Sequence, residues 1–80
     1  MIKVYSTPTC PWCKKVKAYL ESINARYKDI NVVEDREARE KMIEISGQQG
    51  VPVIDIDGEI VLGFDKPRII NALDKRKIGV

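Results

Sequence analysis

Eighty residues carrying fourteen Lys and Arg, twelve Asp and Glu and no histidine give a formal charge of +2, a balance too even for a nucleic-acid-binding face. A chain this short makes one domain, residues 1–80, and buries only about 60% of the surface its unfolded form exposes, so its core is small. No apolar run approaches a membrane span, and no secretory leader precedes the first strand, so the cytoplasm is the expected compartment.

In chain order, Ile2–Tyr5 reads as a β-branched and aromatic strand. Ser6-Thr7-Pro8-Thr9 breaks it, and Pro11 suits the first position of a helix, where its missing N–H costs nothing. Val16, Tyr19, Leu20 and Ile23 recur at i, i+3, i+4 and i+7, the buried face of a helix over Pro11–Ser22. A second strand is predicted over Tyr27–Val32. Glu34 or Asp35 caps the next helix, Ala38, Met42 and Ile45 form its inward stripe, and Gly47 ends it.

Val51–Ile56 and Glu59–Leu62 flank Asp57-Gly58, the clearest hairpin signal in the chain. Gly63 stops the second of these strands. A last helix over Lys66–Lys75 is expected to bury Ile69, Ile70 and Leu73, and the cluster Lys75-Arg76-Lys77 complements its dipole. The order is β-α-β-α-β-β-α. Its first two strands should be parallel, the hairpin should extend the sheet antiparallel, and helices should cover both faces because the strands are too apolar to leave one wet.

The two cysteines form a single C-x-x-C unit, Cys10-Pro11-Trp12-Cys13, at the strand-to-helix junction. A thiolate, not a thiol, attacks a disulfide. Cys10 sits where the unpaired N–H groups of a helix start converge and favour negative charge, with Lys14 and Lys15 one turn away. A lowered Cys10 pKa is therefore expected. Three-residue spacing on a helix brings Cys13 within bonding reach, so a mixed disulfide at Cys10 is resolved by Cys13. Trp12 offers a flat amphipathic surface beside the sulfur. Three bland readings compete: half of a zinc site, which without histidine would need two chains; a structural staple, which at this loop length constrains little; or an incidental pair of small buried residues.

Two further positions carry both a structural and a functional reading. Pro52 is a plain strand-start proline, or a cis residue turning the Val51 backbone towards the cysteines, where an extended substrate would pair with it. Leu62-Gly63-Phe64-Asp65 is a strand breaker with an N-cap aspartate, or a seat for a carboxylate at the helix start. Gln48 and Gln49 are solvated loop residues, or reach a bound peptide.

Thr9-Cys10-Pro11-Trp12-Cys13, Gly50-Val51-Pro52 and Gly63-Phe64-Asp65, in that order and at these spacings over essentially the whole chain, resemble a glutaredoxin. The resemblance implies a thioredoxin fold, an α/β four-stranded mixed sheet of order β2-β1-β3-β4 with Pro52 cis. It assigns Cys10 as nucleophile and Cys13 as resolving thiol. It places Thr9, Trp12, Gln49, Val51, Pro52, Gly63, Phe64 and Asp65 around glutathione, which serves as co-substrate, with no tightly bound cofactor and no metal. It also implies a monomer that acts on protein disulfides and glutathione mixed disulfides in cell redox homeostasis and electron transport.

The chain departs from the family pattern in three places. Thr7 stands where many glutaredoxins carry a lysine for the glycyl carboxylate, Gly50 replaces a threonine before Val-Pro, and Leu62-Gly63 then Asp65-Lys66 replace Gly-Gly followed by an acidic pair. Gly63-Phe64 with Pro67 also resembles glutaredoxin-like donors that thioredoxin reductase reduces and that serve ribonucleotide reductase. Some glutaredoxins instead bind an iron–sulfur cluster between two subunits, a use that Pro11 usually opposes in the family.

Overall fold

The computed structural model describes residues 1–75; Arg76 and Lys77 of the predicted basic cluster lie outside them. The elements are β1 (Ile2–Ser6), α1 (Pro11–Ser22), β2 (Tyr27–Asn31), α2 (Arg36–Ser46), β3 (Val53–Ile56), β4 (Glu59–Leu62) and α3 (Lys66–Lys75). The sheet order is β2-β1-β3-β4, with β1 and β2 parallel and the remaining pairs antiparallel. This is the thioredoxin-like α/β architecture that the resemblance implied.

Side chains alternate across a strand, and that period divides the core in two. Ile2, Val4, Ile54, Ile56 and Val61 face Val16 and Leu20 of α1 and Ile69, Ala72 and Leu73 of α3. Tyr5 and Val53 face the other way and pack with Val32 and with Met42 of α2, flanked by Ala38, Ile43 and Ile45. Both faces are covered, as the apolar strands require.

Each helix starts and stops where its local chemistry directs. The Asp35 carboxylate accepts the Ala38 N–H at 3.0 Å and caps α2, and Gly47 closes it at φ 72°. Asp57 (φ 50°) and Gly58 (φ 97°) make the tight turn between β3 and β4, with the Asp55 carboxylate accepting the Gly58 N–H.

Three expectations need correction. β3 begins at Val53 rather than Val51, because Pro52 has no N–H to donate and the ladder with β4 opens at the Val53–Leu62 pair. β2 ends at Asn31, one residue early, although Val32 stays buried and its N–H reaches the Ser6 carbonyl. Ile70 is 53% exposed. The buried face of α3 is Ile69, Ala72 and Leu73, an i, i+3, i+4 set, and Ile70 lies about 100° round the helix from Ile69.

A polar clamp fixes the chain just before the cysteine loop. Ser6, buried at the end of β1, donates to Asp29 of β2 at 2.7 Å, and the other Asp29 oxygen takes Lys17 of α1 at 3.0 Å. Burial pushes the Asp29 carboxyl upward, but these two hydrogen bonds and the Lys17 charge outweigh it and leave it lowered.

A second tie joins α1 to β2: the Tyr27 hydroxyl donates to Glu21 at 2.5 Å. Burial, that hydrogen bond and the neighbouring carboxylate charges push Tyr27 up to about 12. A raised folded-state value means that stability is fully present below the ordinary tyrosine range near 10 and is lost as pH climbs through about 12. Tyr27→Phe should therefore remove one tyrosinate from the highest-titrating component of the absorbance titration. It should also lessen the loss of denaturation midpoint between pH 10 and 12 relative to the unmodified protein.

Candidate active site

The chain leaves β1 at Ser6, turns through Thr7–Thr9 and enters α1 at Pro11, so the residue at the junction is Cys10. Its backbone is extended (φ −89°, ψ 110°), and its Sγ accepts the Cys13 N–H at 3.1 Å. That is an N-cap geometry with sulfur in place of the usual oxygen. Pro11 supplies no N–H at the first helical position, so the Cys13 amide is the donor aimed at the sulfur. The Cys10 N–H in turn donates to the Thr7 carbonyl, closing the loop.

Cys10 and Cys13 are joined by a disulfide across a Cα separation of 5.2 Å. Their exposures differ in a way that sorts their chemistry. Cys13 is wholly buried, whereas Cys10 keeps a 9% opening to solvent. An incoming sulfur therefore meets Cys10 first, and Cys13 can approach Cys10 only from inside.

On one side of this pair lies an aromatic surface. Trp12 is 54% exposed, and its ring packs 6.4 Å from Phe64, which in turn lies 6.1 Å from Tyr19. Lys15 holds its ammonium 4.3 Å from the centroid of the Trp12 ring. Asp65 follows Phe64 and caps α3, accepting the Arg68 N–H at 3.3 Å while its other oxygen meets the Arg68 guanidinium. The structural reading of Asp65 as a cap therefore holds.

On the other side is a groove of about 410 Å³ lined by Thr7, Val32, Val33, Arg39, Gln49 and Val51. Arg39 donates to the Gln49 side-chain oxygen at 3.5 Å, bringing a cation into a groove where Thr7 carries none. Arg39 escaped the sequence reading because it sits beside the inward stripe of α2 and looks like a solvated surface residue; only the fold brings it opposite Thr7.

The loop before β3 and the loop after β4 meet directly. The Val51–Pro52 bond is cis, as expected, and the Pro52 carbonyl accepts the Gly63 N–H at 3.0 Å. The predicted residues thus fall into two groups, Val51 and Gln49 lining the groove and Trp12, Phe64 and Asp65 on the aromatic side, with Gly63 and the buried Pro52 joined by the hydrogen bond between their loops. Thr9 lies exposed in the turn before Cys10, without a hydrogen bond among the described residues.

Comparison with known proteins gives a consistent family. The Glutaredoxin family model matches residues 2–61. The chain is 56% identical over 75 residues to a glutaredoxin-like 8.6 kDa protein of the rubredoxin operon of Clostridium pasteurianum, covering 94% of this chain and 100% of that one. It is 35% identical to glutaredoxin 3 of Escherichia coli, covering 94% and 87%. It is also 39% identical to the glutaredoxin-like protein NrdH of Lactococcus lactis, covering 80% and 88%. Among solved structures, the thioredoxin-like protein BC3987 superposes with a TM-score of 0.85 at 34% identity, covering 91% of this chain and all of that one.

Gly63 adopts φ +73°, a backbone region that other residues enter only with strain, although a Cβ there would meet no atom within 4 Å. The conformation, not the space, requires glycine. Gly63→Ala should lower stability by roughly 1–2 kcal/mol, read as a fall in the urea midpoint. An unchanged midpoint would mean that the loop relaxes freely.

Proposed function

The chain belongs to the glutaredoxin family, and on that footing we propose that it is a glutathione-linked dithiol–disulfide oxidoreductase in which Cys10 attacks and Cys13 resolves. The observation that carries this reading is the Cys13 N–H aimed at Cys10 Sγ. Together with the start of α1, it stabilises a thiolate at Cys10 over the neutral thiol, and exchange begins from the thiolate.

In the reduced protein the Cys10 thiolate attacks one sulfur of a substrate disulfide. A new S–S bond forms between Cys10 and that sulfur, the substrate bond breaks, and the departing thiolate takes up a proton. Cys13 then loses its proton and attacks Cys10 Sγ from inside, releasing the second substrate thiol and leaving the Cys10–Cys13 disulfide. The substrate has gained two electrons, both from the protein's sulfurs, and two protons, one lost by Cys13 and one from the solvent that took it when Cys10 ionised. Two molecules of glutathione restore the dithiol and leave as glutathione disulfide.

Glutathione has the chemistry to fit the two flanks. Its cysteinyl part would pair with the Val51 backbone, the edge just before β3. Its glycyl carboxylate would lie in the groove with Arg39, whose guanidinium supplies the cation that Thr7 lacks, and Gln49 beside it. Its γ-glutamyl part would run over Trp12 towards Phe64, Gly63 and Asp65, and Thr9 would border the path. Asp65 already caps α3, so the carboxylate seat there is shared with its own helix.

A second reading is favoured by the 39% identity to NrdH and by Gly63-Phe64 and Pro67: a donor reset by thioredoxin reductase and serving ribonucleotide reductase. The two readings share every step at the sulfurs and differ only in the source of electrons. A paired turnover assay separates them, with glutathione and its reductase in one arm and thioredoxin reductase in the other. Turnover in the glutathione arm is the expected result. Reduction in the thioredoxin reductase arm alone would replace the first reading by the second.

The division of labour has its own signature. Cys10→Ser should abolish all exchange, whereas Cys13→Ser should retain reduction of glutathione mixed disulfides, which needs only Cys10. Equal loss in both variants would rule out the one-thiol route.

A further inference from the structure

Two cations flank the aromatic surface, and neither has a described anionic partner. Lys15 Nζ stands 4.3 Å from the Trp12 ring centroid and Lys66 Nζ 5.1 Å from that of Tyr19, with Phe64 between the two rings. Among the described residues no carboxylate pairs with either ammonium. Asp65, next to Lys66, is held by Arg68. Glu21, the one carboxylate of α1, accepts the Tyr27 hydroxyl. Each ring also restrains its lysine, so little side-chain freedom is left to lose when an anion arrives.

This surface begins at Trp12, two residues from the sulfur that opens to solvent. A partner whose disulfide meets Cys10 must therefore lay its neighbouring residues across an apolar strip with an unmatched positive charge at each end. A second copy of this chain would bring like charges together. A polypeptide with carboxylates beside its cysteine would pair with both.

We propose that the Trp12–Phe64–Tyr19 surface, with Lys15 and Lys66, selects disulfide-bearing polypeptide segments whose cysteine is flanked by acidic and apolar residues. This rests on the oxidoreductase reading above and names its substrate class. The chemistry is the same two-step exchange, in which the Cys10–Cys13 dithiol is oxidised and the segment's disulfide is reduced to two thiols. The lysines act on encounter and orientation and take no part in bond making.

The test uses the whole chain, reduced beforehand and freed of reductant. Its single-turnover rates are measured on three disulfide-linked peptides that differ only in the two residues flanking cysteine: Glu, Gln or Lys. At low ionic strength, about 0.02 M, the Glu-flanked peptide should react roughly tenfold faster than the Lys-flanked one. Near 1 M salt, where charges are screened within about 3 Å, the gap should close. Lys66→Glu should cut the preference to about threefold or less, Lys66→Gln should fall between, and both should reduce neutral bis(2-hydroxyethyl) disulfide within about twofold of the unmodified protein. Equal rates on all three peptides at low salt would overturn the proposal, as would a preference that survives Lys66→Glu combined with Lys15→Gln. Failure of the unmodified protein on the neutral disulfide would instead overturn the oxidoreductase reading, and the selectivity with it.

Discussion

The contact between the Cys13 amide and the Cys10 sulfur, 3.1 Å, is the constraint around which the rest of the structure is arranged. A helix must begin somewhere, and its first amides have no carbonyl to bond. Most helices satisfy one of them with a hydroxyl or carboxylate oxygen. Here the cap is sulfur, so the demand at the start of the helix is met by the first cysteine of the C-x-x-C pair. The same turn brings the two cysteines together, Cys10 slightly open to solvent and Cys13 closed to it.

Holding that junction in place falls to the ends of the sheet. Ser6, Asp29 and Lys17 tie β1, β2 and α1 together one residue before the loop begins, so the loop starts from a fixed point. On the far side, the Pro52 carbonyl and Gly63 N–H join the entry to β3 with the exit from β4. The site is thus made of three loops, each anchored at a strand end. Such an arrangement lets loop residues vary while the sulfurs stay where they are.

The flanks of the disulfide differ in chemistry. One is a groove with a guanidinium and an amide, suited to a small polar ligand; the other is a strip of rings with lysines at its ends, suited to a broader polypeptide surface. A protein that takes electrons from one molecule and passes them to another needs both kinds of contact around one sulfur.

Much of this was legible in the residues themselves, because short-range physics decides it. Proline after Cys10, apolar residues at helical spacing through Ile23, Asp35 and Gly47 at the ends of a helix, and Asp57-Gly58 between alternating segments each act over a few positions, and α1, β4 and α3 appear over the expected ranges. The cysteine pair at a helix start was readable for the same reason. What tertiary structure alone decided lies at longer range. Proline's missing donor delayed β3 because only pairing with β4 shows which residues need an N–H, and Ile70 faces water because the sheet accepts one stripe of α3. Arg39 entered the groove because folding brings α2 and Thr7 to line the same space, and Lys66 of α3 lies over the ring of Tyr19 because α3 packs beside α1. Local chemistry chose the elements and the reactive atom; the surroundings of that atom were set by residues distant in the chain, whose proximity no spacing encodes.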